Sequence, residues 1–404
     1  MRDGKQEYDV VIAGAGPAGT SAAIHLATRG ASVLLAEQKK FPREKLCGEF
    51  ISPECLTHFE QLGVADRMLA AGGESLTQTV FYSRKGRSVP VPSEWFDSHS
   101  AALGLSRAEM DLKLLERARA VGVDVREETQ ATAFMNGDQR VRGVQLRSGD
   151  VLSEATASVV IDATGRTRAL ARRLVGSPDA DGQRNVVKKN NRKPGKPPFV
   201  AFKAHLEDAR LAPRTCEIYF YPGGYGGLSS IEKGLSNLCF IAAAKDVRDC
   251  QANPDMVMRN VVAKNSRAAF SLATARIKGQ WLAVALESFG RQAPVPADGL
   301  LMIGDAAAFI DPFSGSGMLM ALEGGQLAAN VITRHLPRLR TGASFDALAR
   351  DYQAVYQAQF RSRLRICAML RRAAFVPRLA EAAIWVFGGS EHLRRALARA
   401  TRKG

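Results

Sequence analysis

Residues 10–13 (VVIA) are uniformly apolar, the pattern of a parallel strand buried on both faces. A glycine-rich turn follows at Gly14-Ala15-Gly16-Pro17-Ala18-Gly19. Residues 20–29 then run as an Ala-rich helix, Gly30 breaks it, and residues 32–36 (SVLLA) return as a second apolar strand that ends on Glu37. The spacing predicts a βαβ unit of about 30 residues. Two later apolar runs also end in polar turns, residues 158–165 (SVVIDATG) and 299–305 (GLLMIGD). The second leads through Ala306–Ile310 and Asp311-Pro312-Phe313-Ser314-Gly315-Ser316-Gly317 into a long helix from Met318 to about His335.

The stretches between these runs have other periods. Residues 53–62 read as a helix starting just after Ser52. Residues 77–83 and 87–91 alternate as a hairpin around Lys85-Gly86, and residues 108–121 form an amphipathic helix. Residues 122–126 are a short strand, and residues 132–134, 141–147 and 151–155 a small antiparallel meander. Residues 188–198 (KKNNRKPGKPP) are a loop or linker. Residues 199–206, 216–221, 228–232 and 238–243 read as a mostly antiparallel sheet with a glycine cluster at 223–227, and residues 256–273 as one helix. From Phe345 onward the chain is helical, broken at Pro377 and at Gly388-Gly389.

Composition adds a charge asymmetry. The 404 residues carry a net charge of +16, and two segments hold +15 of it: residues 184–196, with six basic residues and no acid, and residues 361–404, with eleven basic residues and two acids. The remainder is nearly neutral. Such a distribution suits an anionic surface. Aromatics are not interleaved with the basic residues as a single-strand platform requires, so nucleic acid is not the expected partner. The tail mixes Arg with Leu, Ile, Phe and Trp385, which fits a membrane surface; a basic helix packed on its own domain fits it equally. No apolar run approaches the roughly 20 residues of a membrane span, and the polar opening MRDGKQEYDV has no signal-peptide character. The expectation is a cytoplasmic protein, peripheral at the inner membrane surface if the tail binds there. The six cysteines are scattered without a CxxC pair and are expected to be reduced thiols.

The first turn carries the candidate chemistry. Gly14 permits the tight turn, Gly16 lets the backbone approach a pyrophosphate, and Gly19 lets helix and strand pack closely, while the helix N-terminus favours phosphate charge. Glu37 can accept hydrogen bonds from an adenosine ribose, and an acid there favours a free ribose, as in FAD or NAD, over a 2′-phosphate. GxGxxG alone is weak, but strand, helix, second strand and terminal acid are all in place. Cys47, taken by itself, reads as a small buried apolar residue.

Three motifs fall in one order: GAGPAG with Glu37, DATGR at 162–166, and GDAAAFIDPFSGSGM at 304–318. With them the chain resembles the FAD-dependent oxidoreductases of the para-hydroxybenzoate hydroxylase fold, within the branch of geranylgeranyl reductases, flavin monooxygenases and halogenases. The PREKLCGE and LSRAEMD segments support that branch, and the resemblance covers roughly residues 8–327. It implies an α/β fold, a Rossmann-like FAD-binding domain (1–76, 105–175 and 291–340) interleaved with an antiparallel-sheet substrate domain (77–104 and 176–290), followed by a basic helical C-terminal region (341–404). It also implies that Ala18 and Gly19 face the FAD pyrophosphate, Glu37 the ribose, Arg107 the ribityl or phosphate region and Ala131 the adenine. Asp305 would hold the ribityl chain, Cys47 and Gly48 would flank the isoalloxazine, the DATGR turn would lie near the pyrophosphate, and Gly317 and Met318 would present a helix N-terminus to the flavin. Phe202, Tyr219, Tyr221 and Tyr225 are candidates for the pocket lining.

The halogenase WxWxIP segment is absent, and the reductase YxWxFP segment survives only as Tyr219-Phe220-Tyr221-Pro222. Without a second dinucleotide βαβ unit, NAD(P)H is expected as a transient electron donor. The expected activity is hydroxylation of an apolar or phenolic, lipid- or polyketide-like substrate. The alternative is reduction of C=C bonds in a polyprenyl chain with Cys47 as a catalytic participant, and a third reading is an FAD-binding scaffold at a membrane surface. Oligomeric state is left open.

Overall fold

The computed structural model describes residues 6–96, 101–137, 140–176, 198–286, 290–310, 315–374 and 377–400. The basic run 184–196, most of the 188–198 loop and Asp311–Ser314 lie outside the described residues. A central sheet forms around strand Gln6–Ala13, which pairs in parallel with Val33–Ala36 (Val10 opposite Val33) on one side and Val151–Asp162 (Ala13 opposite Asp162) on the other. Asp124–Arg126 extends the first side.

Strand Val151–Asp162 is one 12-residue strand, not the separate meander strand and buried strand that the sequence pattern suggests. Its first half pairs antiparallel with Arg140–Ser148, and its last residues pair in parallel with Leu300–Met302. No glycine or proline interrupts it, so the period changes from half-exposed to fully buried without a break in the backbone. The helix expected over 256–273 is also different: it divides into Pro254–Asn260 and Ser266–Ser271. Asn265 causes the division. Its Oδ1 accepts the N–H groups of Arg267 and Ala268, capping a new helix, while its Nδ2 donates to the carbonyls of Tyr82, Ser83 and Phe220.

The second sheet runs Arg276–Leu286, Phe199–Glu207, Ser236–Ala243, Gly224–Ser230, Thr215–Tyr221, Gln78–Tyr82, Ser88–Pro92. One face packs under the short helices through Phe202, Tyr219, Tyr221, Leu238 and Phe240 against Val247, Val257 and Val262. The opposite face, with Ala201, Tyr225, Ile241 and Leu286, turns toward Leu46 and Phe309.

Helix Pro17–Ala27 is Ala-rich because the long helix Gly317–Arg340 crosses it closely. A Cβ on Gly325 would lie 2.5 Å from the Ala18 carbonyl oxygen and 2.8 Å from Ser21 Cβ, so only glycine permits this approach. The next helix, Asp346–Ala374, is tied to that one by Arg363, whose Nη1 and Nη2 donate to Glu323 at 2.5 and 3.2 Å. The pair is largely buried, and removing one partner would strand the other charge. Arg363→Ala is therefore expected to destabilise the protein by about 3 kcal/mol or more, measured by denaturant midpoint. A further helix, Pro377–Gly388, ends at the expected Gly388-Gly389 break, and the last one spans Glu391–Ala400.

His25 in the first helix supplies a pH test. Burial, then the positive charges of Arg29 and His58, lower its pKa from 6.5 to about 4. The unfolded chain thus binds a proton below pH 6.5 that the native protein refuses until about pH 4. Stability should fall as the pH drops through that window. In His25→Leu, thermal melts across it should lose part of that slope.

Candidate active site

The two glycine-dependent turns meet first. Gly14 has φ +104°, and a Cβ there would lie 2.5 Å from the carbonyl oxygen of Ala163 in the DATGR segment. A Cβ on Gly19 would lie 1.9 Å from the Gly14 carbonyl oxygen. Asp162, fully buried, fastens the DATGR turn: its Oδ1 accepts the Thr164 N–H and hydroxyl at 2.9 and 2.6 Å, and its Oδ2 the Ala171 N–H at 2.8 Å. The strand ends are thereby held in one register over the N-terminus of helix Pro17–Ala27, which has no acid in its first turn.

Glu37 closes this end of the cleft. Its Oε2 accepts the Ala15 N–H at 3.0 Å and its Oε1 the Lys39 N–H at 3.1 Å. The Thr129 N–H donates to the Glu37 carbonyl at 2.8 Å, which brings the start of strand Gln130–Gly137 alongside. Ala131 follows two residues later, but its methyl is buried with Val11, Leu34 and Val144 in a core cluster, so its main chain is the part left to meet an adenine.

Next come the two segments that carry the expected Cys47, Gly48 and Arg107. Arg43 donates to Asp111 at 3.0 Å and lies 3.4 Å from Glu37. Arg107 grips Asp111 with Nε at 2.9 Å and Nη2 at 2.7 Å, and lies within electrostatic reach of Cys47. Burial works against the Arg107 charge, but Asp111 and the Cys47 sulfur together raise its pKa above the usual value. PREKLCGE and LSRAEMD are thus two sides of one clamp.

Glu49 completes it. The residue is fully buried, adopts φ +53°, and accepts the Arg107 N–H at 2.8 Å and the Lys203 ammonium at 2.6 Å on Oε1. His205 Nε2 lies 2.7 Å from Oε2. Lys203 also pairs with Glu44, which is 45% exposed. Although Glu44, Glu49 and His205 converge closely enough to hold a metal ion, the Lys203 ammonium already bridges the two carboxylates. Burial alone would raise the Glu49 pKa; the His205 and Lys203 contacts outweigh it and hold the carboxyl below its usual range.

Sequence reading missed Arg43, Asp111, Glu49, Lys203 and His205. The signal for the last two was present, because Lys203 and His205 alternate with apolar residues along FVAFKAHLE on the inward side. It misplaced Phe202, Tyr219 and Tyr221, which lie in the helix-covered core; Tyr219 donates to Glu217 and Tyr221 to the Ile241 carbonyl. Aromatic strand residues follow the alternation, and these occupy the wrong parity for the cleft. Tyr225 does face the inner side.

At the other end, Asp305 lies within electrostatic reach of Arg107, Arg166 and Lys45. Burial raises its pKa from 3.8 to about 6 despite those three cations. Gly317 begins the long helix, which also has no acid in its first turn, and Met318 is buried against the main core. A small cavity lined by Asp305, Ile310, Gly317, Met320 and Tyr356 adjoins it.

These residues fit FAD. Among the described residues nothing lies within 4 Å of where a Cβ would stand on Gly16, Gly48 or Gly317, so the backbone is open where pyrophosphate and flavin approach. Two helix N-termini, Lys45 and Arg166 supply positive potential for anionic groups. When bound, Gly14, Gly16, Ala18 and Gly19 would cradle the pyrophosphate, Glu37 would take the ribose, Asp305 the ribityl hydroxyls, and Cys47 and Gly48 the ring.

The chain belongs to the FAD-binding domain family, whose pattern matches residues 7–337. It is an FAD-dependent oxidoreductase. It is 28% identical to the digeranylgeranylglycerophospholipid reductase of Methanosarcina mazei over 331 residues, 80% of this chain and 74% of that one. It is 29% identical to the menaquinone reductase of Mycolicibacterium smegmatis over 345 residues, covering 80% and 76%. Its fold is similar to a geranylgeranyl bacteriochlorophyll reductase-like protein from Thermoplasma acidophilum (TM-score 0.78, 19% identity, 99% and 97% covered) and to the flavin-dependent brominase Bmp2 (TM-score 0.78, 22% identity, 98% and 94% covered). The para-hydroxybenzoate hydroxylase-like architecture expected from the motifs is therefore the observed one, and the scaffold reading gives way to an enzyme.

Proposed function

We propose that this enzyme reduces C=C bonds in the polyprenyl chain of a lipid or quinone. The observation that carries the reading is the position of Cys47: half-buried, in reach of Arg107, on a loop pinned by Glu49 against the apolar inner face of the second sheet. FAD, when bound, supplies the hydride. Cys47 Sγ would hold the proton that completes the addition. Arg107 would orient the sulfur, and Ala201, Tyr225, Ile241 and Leu286 would exclude water from an apolar chain. Both sequence relatives act, by their names, on prenyl lipids or prenyl quinones, which supports the same substrate class. NAD(P)H visiting transiently is the proposed electron donor.

Hydroxylation of an apolar or phenolic substrate would use the same dry cleft, and one experiment separates the two. The FAD-loaded protein, reduced under anaerobic conditions, is mixed with a polyprenyl quinone or phospholipid. Flavin reoxidation without oxygen, matched by a saturated product, is expected. Reoxidation only on admitting oxygen, with a hydroxylated product, would establish the other reaction. Cys47→Ser should slow anaerobic turnover about 100-fold, the scale of a lost general acid, while FAD content is retained.

The substrate class fits a membrane-surface role for the tail. Met369, Trp385, Val386 and Leu393 are exposed, Trp385 to 70%, among the basic residues of the last three helices. Among the described residues no helix is long and apolar enough to cross a membrane. Binding to vesicles containing anionic lipid, weakened by salt and by Trp385→Ala, is the expected result; equal binding to neutral vesicles would count against it.

A further inference from the structure

Cys239 has no part in the reaction described above, yet the sheet places it beneath Cys47. It lies directly opposite Lys203 in the register of strands Phe199–Glu207 and Ser236–Ala243, so both side chains emerge on the same face. Lys203 reaches from that face to Glu49 at 2.6 Å. Asn237, two residues from Cys239 and on the same side of its strand, donates through Nδ2 to the Cys47 carbonyl at 3.1 Å. The loop is therefore clamped to the sheet at residues 47 and 49 by two side chains next to Cys239, one along its strand and one across from it. Burial and then Cys47 raise the Cys239 pKa, against the lowering effect of neighbouring Lys203. Both cysteines are partly accessible, whereas the other four are buried.

We propose that Cys47 and Cys239 form a reversible disulfide between the cofactor loop and the substrate sheet, a modification site that withdraws Cys47 from the cleft under oxidising conditions. The oxidant is hydrogen peroxide, the product of reduced flavin meeting oxygen. Cys47 attacks one peroxide oxygen, the O–O bond breaks, and water leaves with Cys47 as a sulfenic acid. Cys239 sulfur then attacks Cys47 sulfur, the S–O bond breaks, and a second water carries away both protons. Two thiols are oxidised and one peroxide reduced. Cys47 is the first to react because it stands on the cofactor loop at the cleft, where peroxide would arise, while burial raises the Cys239 pKa and keeps it a thiol until the exchange. The inference rests on the placement of the two thiols and not on which reaction the flavin carries out.

The FAD-loaded full chain is treated with hydrogen peroxide, blocked with N-ethylmaleimide and digested without reductant. A peptide linking Cys47 to Cys239 is expected, with two thiols lost per chain and activity restored by dithiothreitol. In Cys239→Ser, and in Cys239→Ala as a check on folding through FAD content, the link should be absent. Cys47 should then proceed to the sulfinic acid, which dithiothreitol does not reverse. A wild-type protein that accumulates Cys47 sulfinic acid without the cross-link, or that links Cys47 elsewhere, overturns the proposal. Prenyl reduction that persists with the cross-link intact would instead count against the proposed part of Cys47 in the reaction and leave the disulfide standing.

Discussion

Gly19→Ala should weaken FAD binding at least 100-fold, about 2.7 kcal/mol, and lower stability by about 3 kcal/mol. The methyl group it adds would stand 1.9 Å from the Gly14 carbonyl oxygen and 3.2 Å from Ala163 Cβ. Neither neighbour is a flexible side-chain end. Gly14 is itself trapped, because its own missing Cβ would meet Ala163 and Thr164 backbone. The clash must therefore push the first helix away from the sheet. That helix is also held on its far side, where Gly325 leaves no slack against Ala18 and Ala22. Displacing it moves the N–H groups that would meet the pyrophosphate and disturbs the Ala15 N–H that donates to Glu37. Flavin fluorescence released on denaturing the purified protein, with a titration of apoprotein against FAD, measures the effect. The matched control is Gly16→Ala, whose Cβ would meet no described atom within 4 Å. It should fold normally and lose affinity only through crowding of the cofactor. If Gly19→Ala binds FAD as the wild type does, the turn is not the cofactor cradle.

The contrast between these glycines marks what the sequence could and could not reveal. The βαβ unit was legible because buried parallel strands are continuous apolar runs and the turn between them admits few residue types. Asp305 was legible for the same reason, as an acid closing an apolar strand. The second sheet was legible as strands but not as faces. Phe202 and Tyr219 were read as lining because they are aromatic, whereas strand parity sends them to the helix side and sends Ala201, Lys203 and His205 to the cleft. Parity is recoverable from a sequence only when one face is clearly polar, and here both faces are buried, one by helices and one by the loop 43–52. The charged clamp was illegible for another reason. Apart from Arg107, which the resemblance assigned to the cofactor, its members are spread from Arg43 to His205, and each alone looks like an ordinary surface residue. Only the approach of four segments turns Glu49 from a loop acid into a buried hub.

That hub carries the second large effect. Glu49→Ala is expected to lower stability by about 3–5 kcal/mol and to reduce turnover beyond what the lost stability explains. The substitution removes the acceptor of the Arg107 N–H and leaves Lys203, which is almost wholly buried, with Glu44 alone. Glu44 is too exposed to compensate for the missing buried carboxylate. The left-handed backbone at residue 49 also loses the side chain that fixes it, so Cys47, two residues away, is released from Arg107. Glu49→Gln separates the two contributions. It keeps the size and one acceptor oxygen, so the loop should stay close to its position while the charge balance with Lys203 is lost. The pH dependence gives the sign. A carboxyl held below its unfolded value of 4.5 contributes stability that is fully present above that pH and disappears as the pH falls through the folded value. The wild type should therefore lose stability below about pH 4.5 more steeply than Glu49→Gln, measured by denaturant midpoint across that range. A double variant, Glu49→Gln with Lys203→Met, removes both charges and should recover much of the stability lost in the single variant, since burying two neutral groups avoids the stranded ammonium. It should not recover turnover if the hub positions Cys47. Recovery of both would make the hub a stability device with no part in placing the sulfur.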